Sequence, residues 1–159
     1  MKLDDMKRFV FLGCMMIIMC HAKASDECFQ TAGQRYHISP YLLKSIALVE
    51  SGNSTKSINI NRDRKGKVIS LDYGVMQIND MHFTELRRLG IPTSSKDLLE
   101  KKCLNIQIGA WILAQHLRHC GQTWECLGSY NAGFSKKNKL LRNIYARKVY
   151  ATWLKIRER

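Results

Sequence analysis

Glu50 lies on the apolar stripe of a predicted helix, close to the C-terminal end of that helix. The stretch ISPYLLKSIALVESG places Leu43, Ile46 and Ala47 on the same face as the carboxyl group. Apolar surroundings desolvate a carboxylate, and the negative end of the helix dipole repels it. A glutamic acid in this position should keep its proton towards neutral pH, as a general acid requires. The helix alone leaves a second interpretation open, in which Glu50 points from the rim of the core into solvent.

A second acid, Asp72, opens the stretch LDYGVMQIN. Paired carboxylates that flank a cleft are typical of glycoside hydrolysis. Gly74 permits a close approach of backbone or ligand. Gln77 and Asn79 offer amide donors and acceptors suited to sugar hydroxyl and N-acetyl groups. Val75, Met76 and Ile78 could pack the floor of a cleft.

A third stretch, GSYNAG, adds Tyr130 and Asn131 before a glycine turn. Each motif alone is weakly specific. Together, ESG on a helix, then GVMQIN, then YNAG resemble the catalytic core of the soluble-type lytic transglycosylases, which have a lysozyme-like fold. The resemblance covers roughly residues 26–150.

Further features narrow the resemblance. DYGVMQIN is also similar to the corresponding stretch of animal C-type lysozymes. The small size, the N-terminal leader and CLNIQIGAWILAQHL resemble the small transglycosylases of type III secretion, type IV secretion and conjugation systems, above all the type III invasion-associated group. Such enzymes open peptidoglycan locally so that a large apparatus can pass.

The resemblance implies a role for each matching residue. Glu50 is the expected acid/base, and Ser51 the residue that helps orient it. Asp72 departs from many lytic transglycosylases, which work with one Glu, and is expected to assist catalysis as a second acid. The expected substrate-binding set is Ser51, Tyr73, Gly74, Met76, Gln77, Asn79, Tyr130 and Asn131.

The expected reaction is cleavage of the β-1,4 bond between N-acetylmuramic acid and N-acetylglucosamine, with a 1,6-anhydro product. The alternatives are a lysozyme-like muramidase that hydrolyses the bond, and a non-catalytic wall-binding component of a secretion apparatus. A cationic protein that binds a membrane or nucleic acid through its basic C-terminal segment is a third class. We expect no metal and no cofactor, because His116 and His119 have the spacing of neighbours on a helix but no evident third ligand.

The N-terminus has the pattern of a cleavable signal peptide over residues 1–24. Lys7 and Arg8 precede an apolar run over residues 9–20, and Ala22 and Ala24 form a small-residue cleavage site. A membrane anchor is the alternative, but the apolar run is shorter than the ~20 residues that span a bilayer. The sequence therefore predicts a periplasmic domain over residues 25–159 with no stable membrane anchor.

Charge points to an anionic partner. The whole chain has a net charge of +13, and removal of a leader with four Lys or Arg and two Asp residues would leave +11. Export favours the bacterial wall over nucleic acid. We expect a monomer that contacts peptidoglycan strands and secretion-apparatus proteins.

Four cysteines remain after the leader: Cys28, Cys103, Cys120 and Cys126. An even number in an oxidising compartment predicts two disulfides. The preferred pairing joins Cys28 to Cys103 and Cys120 to Cys126. Zinc binding is the alternative, but the spacing matches none of the usual finger patterns.

Local patterns predict a mainly α (α+β), lysozyme-like fold, with a small β-hairpin or loop insertion after the catalytic helix. Ser39 is the expected N-cap of that helix, Pro40 its first residue and Gly52 its stop. Other helices are predicted within 27–36, 79–90, 91–102, 103–118, 123–133 and 138–157, and the hairpin within 53–72, where RDRKGK is typical of a turn. The last helix is expected to carry one apolar face, formed by Leu141, Ile144, Tyr145, Val149, Trp153 and Ile156.

Overall fold

The computed structural model describes residues 26–91 and 93–158, which form a set of helices and one small sheet. Residues 26–36 are helical and form α1. The later helices are α2 (Pro40–Ser51), α3 (Phe83–Arg88), α4 (Ser95–Glu100), α5 (Lys102–Cys120), α6 (Trp124–Leu127), α7 (Ser129–Ala132) and α8 (Lys139–Arg157). The strands are β1 (Ile58–Arg62), β2 (Val68–Tyr73) and β3 (Ile78–Asn79), and 3-10 turns cover Asp80–His82 and Lys136–Asn138. The predicted mainly helical α+β fold is confirmed, and the predicted leader over residues 1–24 lies outside the described residues.

Helix α2 begins and ends as its sequence predicts. Pro40 occupies the first turn, and Gly52 closes the helix with φ of 63° while its N–H donates to the carbonyl of Leu48. Only the predicted capping bond is missing, since the Ser39 side chain makes no hydrogen bond to the first turn. The glycine is required because a left-handed stop strains any residue with a Cβ.

The sheet has the order β1-β2-β3 with antiparallel pairing. Its register sets Asn59 opposite Asp72, Asn61 opposite Ser70, and Asp72 opposite Asn79 on the third strand. Side chains alternate between the faces of a strand, so this register gathers polar groups on one face. Asp72, the second acid predicted from the sequence, lies on that face of the hairpin.

Helix α5 is the centre of the core. Its buried residues include Asn105, Ile106, Gly109 and Leu113, and they cover more than one side of the helix. A helix that is buried on several sides packs against several neighbours at once. Helix α5 accordingly contacts α4, α6, α7 and β3, while α2 packs against α8.

Two disulfides close the fold, and both follow the preferred pairing. Cys28 in α1 is bonded to Cys103 in α5, with 5.1 Å between their Cα atoms. Cys120 at the end of α5 is bonded to Cys126 in α6, with 5.6 Å between their Cα atoms. The first bond joins the N-terminal helix to the core, and the second fixes the turn between α5 and α6.

Helix α8 differs in detail from its predicted apolar face. Tyr145 and Val149 are buried, but Leu141 and Ile144 are 53% and 43% exposed. The same turns of α8 contact the core through other residues, since Arg142 pairs with Glu125 of α6 and Tyr145 donates to Glu50 of α2. A helical period alone cannot indicate which of its apolar residues these neighbours cover. No helix among residues 26–91 and 93–158 is long and apolar enough to cross a membrane.

Candidate functional site

A polar cleft of about 680 Å³ opens between the sheet and the helices. Both predicted acids line it, Glu50 from the last turn of α2 and Asp72 from β2. Four of the residues predicted to bind substrate line it as well: Gln77, Asn79, Tyr130 and Asn131. Three motifs that are distant in sequence therefore meet in one concave site.

The Glu50 carboxyl group is partly buried and has one protein donor. The hydroxyl group of Tyr145 donates to Glu50 Oε1 over 2.6 Å. Burial raises the pKa of Glu50 to about 7, the bond from Tyr145 opposes that rise, and the charge of Asp72 adds to it. Glu50 therefore retains its proton at neutral pH far more than an ordinary glutamate does, as the helix pattern predicts.

Asp72 has the opposite environment, since it accepts three amide hydrogen bonds. Asn79 Nδ2 donates to Oδ1 over 2.6 Å, and Asn61 and Asn59 donate to Oδ2 over 2.9 Å and 3.2 Å. Asn61 and Asn79 also donate to the hydroxyl oxygen of Ser70. These three donors on two strands fix the position of the Asp72 side chain in the cleft.

Four other residues of the predicted binding set lie behind the cleft. Met76 is fully buried, and a Cβ placed on Gly109 would lie 2.7 Å from the Met76 side chain. Tyr73 stacks on Phe83, with 6.0 Å between their ring centroids. The Ser51 hydroxyl donates to the Val75 carbonyl over 2.8 Å and so ties the end of α2 to the central motif.

Gly74 is the fourth of these residues. Glycine is required at this position because the backbone lies close to other parts of the protein. Its φ is 73°, and a Cβ there would lie 2.4 Å from Asn105 Nδ2 and 2.5 Å from the Leu98 carbonyl. The predicted close approach is thus to the core and not to the cleft. A residue with a Cβ atom at position 74 would overlap these groups unless the backbone moved.

Asn105 is the residue that occupies the space beside Gly74. It is fully buried, and its Oδ1 accepts from the Met76 N–H over 2.7 Å. Its Nδ2 donates to the carbonyls of Tyr73 and Leu98 over 2.8 Å and 3.1 Å. One side chain in α5 therefore satisfies three backbone groups and holds the central motif in place.

Gln77 and Tyr130 shape the cleft through contacts with the backbone. Gln77 has φ of 49°, and its amide donates to the carbonyls of Gly74 and Ser57 over 2.8 Å and 3.2 Å. The Tyr130 hydroxyl donates to the Met76 carbonyl over 2.8 Å. Burial raises the pKa of the Tyr130 hydroxyl, which therefore stays a neutral donor.

Sequence reasoning missed several residues that contact the two acids. Asn59 and Asn61 belong to a polar stretch, ININR, whose alternation of apolar and amide residues is a signal of one polar strand face. Tyr145 was assigned to the apolar face of α8, and nothing local in the sequence connects it with Glu50. His82 also lines the cleft.

The cleft continues into a smaller pocket of about 330 Å³, and His82 and Ile112 line both. Phe134 lies between His116 and His119, with 4.6 Å from its ring centroid to each imidazole centroid. Burial lowers the pKa of His82 and His116, so both rings favour the neutral form. Among the described residues, no group of three or more His, Cys, Asp or Glu is arranged to hold a metal ion.

The site pairs a proton donor with a fixed carboxylate inside a cleft lined by amide groups. Glu50 can donate a proton to a leaving oxygen, and Asp72 can stabilise positive charge that develops nearby. Aromatic and imidazole rings in the adjoining pocket offer faces on which sugar rings can pack. The arrangement fits acid-catalysed cleavage of a polymeric sugar.

Comparison with known proteins agrees with this chemistry. Residues 27–152 match the Transglycosylase SLT domain. The chain is 44% identical over 158 residues to a "Peptidoglycan-binding-like protein" of Escherichia coli O157:H7, covering 99% of this chain and 95% of that protein. It is 39% identical over 151 residues to "Protein IpgF" of Shigella flexneri, covering 95% and 93%. It is 37% identical over 132 residues to "Invasion protein IagB" of Salmonella typhi, covering 83% and 78%.

Proposed function

Because the chain belongs to the family of proteins with a Transglycosylase SLT domain, we propose that it is a peptidoglycan lytic transglycosylase. The bond cleaved is the β-1,4 bond between N-acetylmuramic acid and N-acetylglucosamine. The product is a 1,6-anhydro muramyl end. The cleft that contains both acids is the active site of this reaction.

The observation that carries the proposal is the environment of Glu50. Its pKa of about 7 keeps a large fraction of the carboxyl groups protonated at neutral pH, and its hydrogen bond to Tyr145 fixes the orientation of the carboxyl group. A catalytic acid works best when its pKa lies near the working pH.

The reaction then proceeds in two steps at the same carboxyl group. Glu50 donates its proton to the glycosidic oxygen, the bond to the muramyl C1 breaks, and Asp72 stabilises the oxocarbenium-like transition state. The Glu50 carboxylate next accepts the proton of the muramyl 6-hydroxyl, whose oxygen attacks C1 and closes the anhydro ring. No water is consumed, and Glu50 ends in its starting protonation state.

A second candidate is lysozyme-like hydrolysis, which the setting of Asp72 favours. Three asparagine side chains hold this carboxylate in the cleft, so it is available as a stabiliser or nucleophile. In this route, Glu50 activates a water molecule in place of the 6-hydroxyl. The two routes differ in their product and not in their substrate.

We also propose that the protein acts in the periplasm after cleavage of its leader. Two disulfides are expected in an oxidising compartment, and they support this location. The similarity to a relative named an invasion protein supports a role in opening the wall for a secretion apparatus. Proteins of such an apparatus are the expected partners.

The test is a digest of purified peptidoglycan with the purified protein, with products identified by mass spectrometry. We expect anhydro-muropeptides, which should disappear with Glu50→Gln and remain with Glu100→Gln, a change at an exposed acid outside the cleft. Asp72→Asn should lower the rate at least about 10-fold if the carboxylate stabilises the transition state.

The other outcomes separate the remaining functions. Muropeptides with reducing ends would establish hydrolysis in place of the anhydro route. Binding to peptidoglycan without any product, equal for the wild type and Glu50→Gln, would make the protein a wall-binding component. That result would agree with the name of its Escherichia coli O157:H7 relative, a peptidoglycan-binding-like protein.

A further inference from the structure

A second concave surface, larger than the cleft, lies at the corner between α1 and α2. This groove has a volume of about 830 Å³ and is open at the surface between α1, α2, α5 and α6. Glu50 and Asp72 are absent from its lining. Its apolar walls come mainly from Tyr36, Leu42, Trp111, Leu117, Trp124 and Leu127.

The charged groups that line the groove have one sign. Arg35 and Arg118 line it, and no Asp or Glu does. Each guanidinium donates to a neutral amide oxygen instead, Arg35 to Gln107 and Arg118 to Gln115. Neither arginine forms an ion pair within residues 26–91 and 93–158, although Lys44, Lys101, Lys139 and Arg142 do.

Exposed aromatic side chains extend the groove at one end. Trp124 is 41% exposed, and its ring meets Tyr150 edge-on, with 5.0 Å between the centroids. Tyr150 is itself 43% exposed, and Trp153 lies beside both rings with Arg157 stacked on it at 4.4 Å. Tryptophan, tyrosine and arginine are the residues that most often dominate the energy of protein interfaces.

From these observations we propose that the groove docks an amphipathic helix of another protein. The apolar side chains of that helix enter between α2 and α5, and its Asp or Glu side chains pair with Arg35 and Arg118. A helix with apolar anchors at i, i+3, i+4 and i+7 fits a groove between helices. A second copy of this chain is a poor occupant, because its net charge of +13 would repel the same surface.

Docking at this groove would leave the catalytic cleft open. Leu42 and Glu50 lie on the same helix, α2, but Leu42 lines the groove and Glu50 lines the cleft. A partner could therefore position the enzyme without competing with the glycan strand. The proposal goes beyond the proposed function, since binding of a helix can be measured without wall cleavage.

The test uses a fluorescent helical peptide of about 16 residues with leucines at that spacing and glutamates beside them. Fluorescence anisotropy with the purified protein should give a Kd of about 10 μM. The same peptide with lysine for glutamate should bind at least about 10-fold more weakly. The double variant Arg35→Glu/Arg118→Glu, and Trp124→Ala, should each weaken binding of the glutamate peptide by a similar factor.

Matched variants control for net charge and for exposed rings. Arg64→Glu/Arg88→Glu changes the net charge equally at exposed sites outside the groove, and Tyr41→Ala removes an exposed ring outside it. Both should bind the peptide as the wild type does. Circular dichroism of every variant checks that the fold is intact.

Three results would overturn the proposal. Equal affinity for the glutamate and lysine peptides would remove the role of the arginines. If the groove double variant and the control double variant weakened peptide binding equally, the effect would come from net charge alone. If the protein bound no peptide but self-associated, and Trp124→Ala abolished that self-association, the groove would instead be occupied by a second copy of the chain.

Discussion

At the scale of single residues, the protein separates the two acids of its cleft by giving them different surroundings. Glu50 is partly desolvated and has one donor, whereas Asp72 is held by three amide groups. Burial favours the protonated form of Glu50, whereas the amide donors fix the position of the Asp72 side chain. This difference suits the roles of proton donor and charge stabiliser that the proposed glycosidic cleavage requires.

Glu50→Gln should change how stability depends on pH. The pKa of Glu50 is raised from 4.5 to about 7, so the folded wild type loses stability as the pH rises between those values. Glutamine cannot ionise, so the variant does not lose stability through this group as the pH rises. The free energy of unfolding of the variant, relative to that of the wild type, should therefore rise across that range by up to about 3 kcal/mol. The rise should be smaller than this limit because the carboxyl group is partly exposed.

Urea unfolding at several pH values between 4 and 8 measures this difference, with Glu100→Gln as the exposed control. A Glu50→Gln difference that stays constant over the range would mean that burial does not hold the proton on Glu50.

Tyr145→Phe should move the pH profile of wall cleavage. The bond from the Tyr145 hydroxyl lowers the pKa of Glu50, so its loss should raise that pKa further above 7. The decline of activity at high pH should then shift upward, while the rate falls because the carboxyl group is less firmly oriented. Tyr150→Phe, at an exposed ring on the same helix, is the control. A lower rate with an unmoved profile would limit Tyr145 to packing.

At the scale of elements, the central motif depends on helix α5 more than on its own residues. Asn105 bonds the Met76 N–H and the Tyr73 carbonyl at the turn that carries Gly74, and it also bonds the Leu98 carbonyl in α4. That turn sets the positions of Asp72 and Gln77 on either side of it. The sheet is thereby fixed to the helical core at the edge of the cleft.

Asn105→Leu should destabilise the fold strongly. The substitution would leave three buried backbone groups without partners, each costing about 1–3 kcal/mol if it is left unsatisfied. Since some relaxation is expected, we predict a loss of about 2–4 kcal/mol in the free energy of unfolding. Chemical denaturation measures it, with Asn143→Leu at a partly exposed position in α8 as the control. A loss no larger than that of the control would contradict the role of Asn105.

At the scale of the whole molecule, the two disulfides constrain the chain over very different lengths. The Cys28–Cys103 bond joins residues 75 positions apart, whereas Cys120–Cys126 spans 6. A longer closed loop removes more entropy from the unfolded chain. The first bond therefore carries more of the stability of this small domain.

Cys28→Ser/Cys103→Ser should cost about 4–5 kcal/mol, and Cys120→Ser/Cys126→Ser about 2–3 kcal/mol, on this entropic estimate. Thermal unfolding of the two double variants, compared with the wild type under oxidising conditions, measures the difference. An equal loss from both would contradict an entropic origin.

Features that depend on local patterns of residues could be predicted from the sequence. Apolar periodicity and the Pro40 and Gly52 signals gave the bounds of α2, and the RDRKGK turn gave the hairpin. The helix pattern also favoured a raised pKa for Glu50, but the burial that raises it comes from packing of the whole fold. The short spacing of Cys120 and Cys126 favoured the observed disulfide pairing among three possible ones.

Which motif residues reach the cleft depends on packing and strand register, and the sequence did not predict it. Met76 and Gly74 read as cleft residues in the motif, but packing against α5 buries both. Tyr145 lies 95 positions from Glu50, and Asn61 reaches Asp72 through strand register. Such contacts arise from the register and packing of distant elements, and no local pattern of residues encodes them.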